Sequence, residues 1–325
     1  MVDYTISITN KCNLNCSYCY EKHLHTSFGC ISPEMMKQVT DFMNRRRDAG
    51  TVYLFGGEPL LYQDKVTYFC EHLHAKEIVI TTNGTLLDEP FIKWCAEKGI
   101  IINMSHDGAD CSERGADRDL LDAKLKLLLQ YQPDTLVQLV YTEKTLPHLY
   151  EQVMHLKNLG VKKVSAAMNA FLMPEDPDSF GELLREQWHQ ISKIPHLFLY
   201  ELAVKMKSIR THTPSTCALC KKKLFINWDG QFYPCMQFQN IPEFRCGSIA
   251  AGIEAEKARK AHPDYGMRAE RCEGCEIAEY CRNSCACKKM ATTGTLRNIS
   301  DAACLEEQVH ILTALEILKK GGIQS

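Results

Sequence analysis

The sequence predicts an α/β protein whose first two-thirds form an open or partial barrel of six parallel strands, followed by a cysteine-rich extension. Three observations support this fold class. Strand-like and helix-like segments alternate six times before residue 170, polar glycine-containing turns follow the first four strands, and nine of the 17 cysteines lie between Cys217 and Cys287. Alternating strands and helices favour a parallel sheet with right-handed crossovers, and eight such units would be needed to close a full barrel.

Each predicted strand is a short apolar or alternating segment bounded by polar residues. The six strands are predicted at 4–9, 51–55, 77–81, 100–105, 135–142 and 161–168.

Helices are predicted between these strands, and the first one has the clearest start. Ser32 suits an N-cap, Pro33 the first helical position and Glu34 the positive end of the helix dipole. The predicted helices span 32–47, 61–74, 88–98, 119–131, 147–159, 177–194 and 301–320.

The composition excludes several classes of protein. Lys+Arg is 38 against Asp+Glu 40, and this net charge of -2 predicts neither a nucleic-acid partner nor a membrane partner. No apolar run approaches the roughly 18 residues that a membrane span needs. The opening segment "MVDYTISIT" lacks the regions of a signal peptide. We therefore expect a cytoplasmic protein, in which cysteines stay reduced and more often ligate metals than form disulfides.

A three-cysteine loop, "TNKCNLNCSYCYE", follows the first strand and spaces Cys12, Cys16 and Cys19 as C-x3-C-x2-C. Four thiolates close a four-iron cluster, so this loop leaves one position open; a zinc site with a distant fourth ligand is the alternative. "GGEP", "TNG" and "SHDG" follow the next three strands. Sites in parallel sheets form at the carboxyl ends of strands. We expect these segments on one rim, although each alone could be a simple turn.

C-x3-C-x2-C after the first strand and GGEP after the second together resemble the radical S-adenosylmethionine (SAM) superfamily, over roughly residues 4–200. The resemblance implies a partial (β/α)6 barrel in which Cys12, Cys16 and Cys19 bind three irons of a [4Fe–4S] cluster and SAM occupies the fourth. It also implies cleavage of SAM to methionine and a 5′-deoxyadenosyl radical that abstracts a substrate hydrogen. The electron would come from an external reductant of the flavodoxin or ferredoxin type.

The GGEP segment acquires a role in SAM binding from this resemblance. Gly56 and Gly57 would let the backbone approach the methionyl part of SAM, since glycine has no side chain in the way. Glu58 would accept a hydrogen bond from the SAM ammonium group.

The resemblance implies four further SAM contacts. Tyr18 would lie against the adenine and Ser105 would contact the carboxylate of SAM. An arginine is expected beside that carboxylate, and of the two that bracket the position we prefer Arg114 to Arg118. Asn83 would touch the ribose, unless it only forms a turn.

The C-terminal third opens with "CALCKKKLFINWDGQFYPC", in which Asp229-Gly230 predicts a two-residue hairpin loop between "LFIN" and "QFYP". Downstream cysteines follow as C-x2-C-x5-C-x3-C and a last cysteine. This array closely resembles the SPASM extension of radical SAM enzymes. The resemblance implies two domains, a barrel at 1–200 and a SPASM domain with a C-terminal helix at 201–325. It also implies two auxiliary [4Fe–4S] clusters, which makes three clusters in all.

The same resemblance assigns ligands to the two auxiliary clusters. The cluster nearer the active site would take Cys217, Cys220, Cys235 and Cys285. The distal cluster would take Cys272, Cys275, Cys281 and Cys304. Cys287 could replace Cys285, and the nearer cluster would keep an open iron if Cys217 does not bind.

SPASM-type enzymes mostly modify peptides and proteins, so the resemblance implies a precursor peptide as substrate. We expect oxidative intramolecular crosslinking that forms a thioether or carbon–carbon bond. The predicted first strand begins by Tyr4 and leaves no room for an N-terminal leader-binding domain. Leader recognition would therefore come from a separate protein or another surface, or would not occur at all.

Other functions stay open. A radical epimerase would need a cysteine hydrogen donor, for which Cys111 is a candidate, and a small carbohydrate or alcohol could be dehydrogenated instead. Formylglycine formation is disfavoured, because sulfatase-maturing relatives carry an aspartate base where this chain has Met236. A non-enzymatic iron–sulfur electron carrier would not need GGEP and an open three-cysteine loop.

Overall fold

The computed structural model describes residues 1–23, 28–212, 222–265, 267–281 and 285–320. All six predicted strands are confirmed, and short strands follow them. The strands are β1 (Val2–Thr9), β2 (Ala49–Gly56), β3 (Glu77–Thr82), β4 (Ile101–Ser105), β5 (Leu136–Tyr141), β6 (Lys163–Met168), β7 (Phe198–Leu199), β8 (Lys223–Ile226), β9 (Phe232–Tyr233), β10 (Gly247–Ser248) and β11 (Gly252–Ile253).

The seven predicted helices are also present, with ends that differ by a few residues. The helices are α1 (Pro33–Arg46), α2 (Gln63–His72), α3 (Glu89–Glu97), α4 (Arg118–Tyr131), α5 (Leu149–Asn158), α6 (Pro177–Ile191), α7 (Tyr200–Thr211), α8 (Ala255–Ala261), α9 (Ala286–Thr293) and α10 (Asp301–Lys319). The predicted N-cap of α1 is confirmed, since Ser32 Oγ accepts a hydrogen bond from the Met35 N–H at 3.1 Å. None of the described helices is long and apolar enough to cross a membrane.

The chain forms two compact units. The first comprises Met1–Ser105, Ser112–Thr135 and Ala218–Pro263, and the second comprises His106–Cys111, Leu136–Cys217 and Asp264–Ser325.

In the first unit the strands lie in the order β4-β3-β2-β1-β8-β9. Neighbouring strands are parallel except for the antiparallel pair β8 and β9. Buried residues such as Ile6, Leu54 and Ile80 form the core around this sheet. The sequence did not predict that β8 would pair with β1, in parallel and with Tyr4 opposite Leu224. The cysteine-rich segment therefore continues the sheet that carries the three-cysteine loop.

The predicted two-residue loop between β8 and β9 is wrong by one residue. The Asn227 N–H donates to the Gln231 carbonyl at 2.9 Å, and the Gly230 N–H donates to the Asn227 carbonyl at 2.8 Å. The loop is therefore 228–230, with Gly230 in the left-handed region at φ +81°. A turn that ends in a left-handed glycine is the usual three-residue solution for a hairpin.

In the second unit the parallel strands lie in the order β7-β6-β5, and α10 packs against α6 and α7. Trp188 of α6 is fully buried. The buried face of α10 also contains a carboxylate, Glu306. Its side chain forms an ion pair with Lys288 at 2.6 Å, and accepts from the Tyr141 hydroxyl and the Met168 N–H, both at 3.1 Å.

Candidate active site and cysteine cavity

The three-cysteine loop leaves the end of β1 in the first unit. Cys12 is exposed, whereas Cys16 and Cys19 are half-buried. The Cys19 N–H donates to the Cys16 carbonyl at 3.3 Å, and Lys22 Nζ donates to the same carbonyl at 2.5 Å. These bonds hold the second half of the loop in one turn, so the structure keeps Cys16 and Cys19 close in space as well as in sequence.

Two of the loop thiols, those of Cys12 and Cys19, are poor acids in the protein alone. Part of Cys12 faces solvent, yet neighbouring protein atoms desolvate its thiol and, with the negative charges of Glu58, Cys16 and Cys19, raise its pKa to about 11. Desolvation also raises the pKa of Cys19. Iron binds the thiolate form, so cluster assembly at this loop must release protons.

Gly56 and Gly57 are required by the cysteine loop. The Gly57 N–H donates to the Thr9 carbonyl and the Glu58 N–H to the Lys11 carbonyl, both at 2.8 Å. A Cβ on Gly56 would overlap the carbonyl oxygen of Thr9, and a Cβ on Gly57 that of Lys11. The structure thus shows the chain's own backbone in close contact with these glycines. Their predicted contact with SAM stays a prediction.

Glu58 joins the ends of β2 and β3. Its carboxylate is fully buried and accepts from the Leu60 N–H at 2.9 Å, the Thr82 hydroxyl at 2.8 Å and the Asn83 N–H at 2.7 Å. Burial raises the pKa of Glu58, and these three donors act against the rise. A carboxylate has about four lone-pair positions, so one stays available for a further donor. The predicted contact of Glu58 with the SAM ammonium stays a prediction.

Asn83 also touches the cysteine loop. Its Nδ2 lies 2.9 Å from Asn13 Oδ1 and 3.9 Å from Cys12 Sγ, and its Oδ1 accepts from the Thr85 N–H at 3.0 Å. The structure thus brings "GGEP" and "TNG" to the three-cysteine loop, as the rim argument predicted. Ribose contact by Asn83 stays a prediction.

The two candidate arginines lie in different surroundings. Arg114 is buried, and its guanidinium lies 5.8 Å from the centre of the Tyr18 ring. Arg118 is exposed at the start of α4, where it pairs with Asp119 at 2.7 Å. Arg114 therefore lies beside Tyr18, the SAM contact predicted within the three-cysteine loop. Ser105 is half-buried at the carboxyl end of β4.

The segment after Cys235 packs on the residues that follow Cys19. The Tyr20 hydroxyl donates to Met236 Sδ at 2.9 Å, and Gln239 Nε2 donates to Glu21 Oε1 at 3.2 Å. Sequence reasoning did not single out Tyr20, Glu21 or Gln239, because nothing in their spacing relates them to a segment more than 200 residues away.

Four cysteines of the second unit line one cavity. They are Cys272, Cys275, Cys281 and Cys304, the four that the resemblance assigns to the distal cluster. In the parts of the chain that the structure describes, no three His, Cys, Asp or Glu side chains are arranged to hold a single metal ion. A four-iron cluster is a different case, because each cysteine ligates a different iron. The donor set of four thiols around one cavity fits such a cluster.

The ligands predicted for the nearer cluster are less complete. Cys217 and Cys220 lie outside the described residues, and Cys235 is half-buried. The thiols of Cys285 and Cys287 are 2.8 Å apart, and the bond from Cys287 lowers the pKa of Cys285 to about 6. The exposed Cys285 and the buried Cys287 thus remain adjacent alternatives.

Cys111 is buried in the second unit. Its thiol donates to the Gly108 carbonyl at 3.7 Å and lies 3.9 Å from His106 Nδ1. These contacts place a histidine beside the thiol that sequence reasoning offered as a hydrogen donor.

A largely parallel sheet with a three-cysteine loop at the end of β1, together with a cavity lined by four further cysteines, is typical of an iron–sulfur protein. The chain belongs to the radical SAM superfamily, whose family model matches residues 6–186. This membership implies SAM and a [4Fe–4S] cluster as cofactors. The resemblance to SPASM-type members and the predicted fold are confirmed by the relatives and solved structures described next.

Two curated relatives share most of their length with this chain. A tungsten-containing aldehyde ferredoxin oxidoreductase cofactor-modifying protein of Pyrococcus furiosus is 26% identical over 258 residues, 72% of this chain and 70% of the relative. A cysteine-type anaerobic sulfatase-maturating enzyme of Clostridium perfringens is 22% identical over 322 residues, 84% of this chain and 85% of the relative.

Two solved structures share the fold. Native anSMEcpe with bound AdoMet has a TM-score of 0.80 and 18% identity, and 98% of each chain is covered. Streptococcus suis SuiB bound to the precursor peptide SuiA has a TM-score of 0.68 and 16% identity, with 93% of this chain and 75% of that chain covered.

Proposed function

We propose that the protein is a radical SAM enzyme that crosslinks a ribosomally made peptide oxidatively, through a thioether or carbon–carbon bond. Two findings on similar proteins support a peptide substrate. One relative is named a sulfatase-maturating enzyme, and SuiB was solved with a precursor peptide. The observation that carries the proposal is the cavity lined by four cysteines. Bond formation after hydrogen abstraction would release one further electron and a proton, and an auxiliary cluster would be a suitable acceptor for that electron.

The cofactors follow from this proposal. Cys12, Cys16 and Cys19 would hold the cluster that binds SAM, and the four cavity cysteines the distal auxiliary cluster. Cys235, with Cys285 or Cys287 and the two cysteines outside the described residues, would hold the nearer one. When bound, SAM and its cluster supply the 5′-deoxyadenosyl radical that abstracts a substrate hydrogen.

The chain's own residues then position these groups. The backbone bonds from Gly57 and Glu58 fix the cysteine loop against the end of β2. Arg114 and Tyr18 lie together beside that loop, where a cation and an aromatic ring suit the carboxylate and adenine of SAM. The same proposal includes an external one-electron reductant, a separate leader-binding protein and a cytoplasmic location. It also includes two domains, a barrel at 1–200 and a SPASM domain at 201–325.

Formylglycine formation is the less favoured peptide reaction. It needs a base for the side chain that is oxidised, and the position after Cys235 holds Met236, whose thioether accepts from Tyr20. A thioether does not take up a proton at neutral pH, so it cannot replace a carboxylate base. Epimerisation would depend on Cys111, whose thiol is buried against the Gly108 carbonyl.

A small-molecule substrate is the second candidate. The relative from Pyrococcus furiosus is named for modifying a cofactor rather than a peptide. Incubation of the reduced enzyme with SAM and each type of substrate would separate the two candidates. A short open reading frame beside the gene would supply the peptide to be tried.

The test pairs two measurements on wild type and Cys235→Ala. Wild type should form 5′-deoxyadenosine and a peptide that has lost two hydrogens. The variant should still form 5′-deoxyadenosine but little crosslinked peptide, because Cys235 is a predicted ligand of the nearer auxiliary cluster, which we propose as the acceptor of the further electron. Cys70→Ala, which removes a half-buried helical thiol, is the matched control and should behave as wild type. A wild-type enzyme that leaves every candidate peptide unchanged would contradict the proposed substrate class.

A further inference from the structure

The cavity cysteines have polar neighbours that the proposed function does not use. Gln308 Nε2 donates to Cys304 Sγ at 3.3 Å. Both residues lie on α10, four positions apart, so one helical turn sets this contact. Gln308 also lines the cavity. The amide dipole therefore points at a sulfur that the proposal makes an iron ligand.

A buried ion pair lies at a second sulfur of the cavity. Cys281 Sγ lies 3.6 Å from Glu307 Oε2, and the same oxygen is 2.5 Å from Lys205 Nζ. The side chains of Lys205 and Glu307 are only 4% and 15% exposed. Burial of two charges is costly, and a buried pair is weak evidence for a stabilising role. Its position against the cysteine cavity suggests a different role.

We propose that Gln308, Lys205 and Glu307 set the reduction potential of the cluster that the cavity cysteines hold; this inference rests on the proposed function. Reduction adds negative charge to a cluster and its thiolates. A hydrogen bond to a thiolate stabilises that charge and raises the potential, whereas a nearby carboxylate lowers it. Lys205 offsets the carboxylate of Glu307. These three are positioning residues, since they act on the cluster through its ligands.

Two of the three substitutions should lower the reduction potential of the cluster, and the third should raise it. Gln308→Leu keeps the approximate size of the side chain, removes the donor and should lower the potential. Lys205→Met leaves the Glu307 charge without its partner and should also lower it. Glu307→Gln removes the negative charge and should raise it. We expect each change to alter the equilibrium constant for one-electron reduction about tenfold, which corresponds to about 59 mV.

The experiment is a potentiometric titration of the reconstituted full-length protein, followed by electron paramagnetic resonance. The distal cluster is identified as the signal that Cys272→Ala removes. Glu316→Gln makes the same chemical change at an exposed position of α10 and should leave the potential unchanged. If Lys205→Met is poorly folded, the double variant Lys205→Met/Glu307→Gln restores neutrality and should titrate close to wild type.

The outcomes separate this inference from the proposed function. Potentials that move in the predicted direction in all three variants support it. A Cys272-dependent signal with an unchanged potential in Gln308→Leu, or shifts of the same sign in Lys205→Met and Glu307→Gln, would overturn the inference alone. A wild-type protein without any Cys272-dependent signal would overturn the cluster assignment and this inference together, whether or not a peptide is crosslinked.

Discussion

Arg114 and Arg118 lie on either side of the position expected for the arginine beside the SAM carboxylate. Their surroundings predict different effects on SAM binding. Arg114 is buried beside Tyr18, whereas Arg118 is exposed and pairs with Asp119. Replacing Arg114 by leucine should weaken SAM binding about 10- to 100-fold, because a charge-assisted hydrogen bond contributes about 1.5–3 kcal/mol. Titration calorimetry on the cluster-loaded protein measures this. Arg118→Leu is the control, and a greater loss for it than for Arg114→Leu would exchange their roles.

Glu306 predicts how the stability of the protein changes in acid. Burial disfavours its charge, but Lys288, His310 and hydrogen bonds more than compensate and lower its pKa to about 2. A carboxyl whose pKa is lower in the folded state stabilises the protein above its unfolded pKa. This contribution is lost as the pH falls through the folded pKa. Here it would amount to about 3 kcal/mol at neutral pH and disappear between about pH 4.5 and 2.

Glu306→Gln tests this prediction. The variant should unfold with a lower free energy than wild type at pH 7, and the difference should shrink towards pH 2. Urea denaturation of the cluster-free protein across this range measures the difference. Glu316→Gln on the exposed face of α10 should track wild type throughout. A Glu306→Gln deficit that does not vary with pH would indicate that packing, and not ionisation, is responsible.

At the scale of elements, Gly57 couples β2 to the cysteine loop. A Cβ at this position would displace the Lys11 carbonyl, which accepts from the Glu58 N–H. We expect Gly57→Ala to lose about four irons, the content of one cluster, and to lose SAM binding with its helical content retained. Iron analysis and circular dichroism measure the two effects.

Gly50→Ala is the matched control for this change, since a Cβ there would meet the end of the Asp3 side chain at 2.8 Å and not a backbone atom of the cysteine loop. If Gly57→Ala retains full iron content, the loop tolerates the displacement and the proposed coupling is wrong.

The sequence predicted the elements whose signals are local. Ser32 and Asp88 cap helices that begin where expected, and the six strands follow from short apolar segments. It missed α7, because its buried face includes the polar residues Lys205 and Ser208. It also gave no sign that Glu306 of α10 is buried. Both errors have one physical cause, which is that ion pairs and hydrogen bonds between distant segments let polar side chains occupy core positions.

The predictions for the candidate site also succeeded where the signal is local and failed where distant segments meet. Cysteine spacing is a local signal, and the SPASM resemblance based on it implied that the four residues lining the cavity belong to one cluster. The contacts between Tyr20 and Met236, and between Lys205 and Glu307, join segments 216 and 102 residues apart. No pattern along the chain reports such contacts. The predicted contacts of Glu58, Asn83 and Ser105 with SAM stay predictions for a different reason, because SAM is not part of the chain.

At the scale of the whole molecule, the iron content distinguishes the cofactor proposals. Three [4Fe–4S] clusters require about twelve irons per chain after anaerobic reconstitution. Joint replacement of Cys12, Cys16 and Cys19 by alanine should remove about four of them and leave the auxiliary clusters. Iron and zinc analysis of both proteins gives the answer, with Cys70→Ala as the control. About four irons in wild type, accompanied by stoichiometric zinc, would contradict the auxiliary clusters.

Because β8 pairs with β1, the sheet of the first unit depends on the cysteine-rich segment to cover one side of β1. β8 and β9 occupy the side of β1 opposite β2. A chain shortened at residue 200 would leave the backbone N–H and C=O groups on that side of β1 without partners. Such a bare edge is a template for pairing with other chains. The shortened protein should therefore self-associate, and the extension shields the sheet that bears the three-cysteine loop from aggregation.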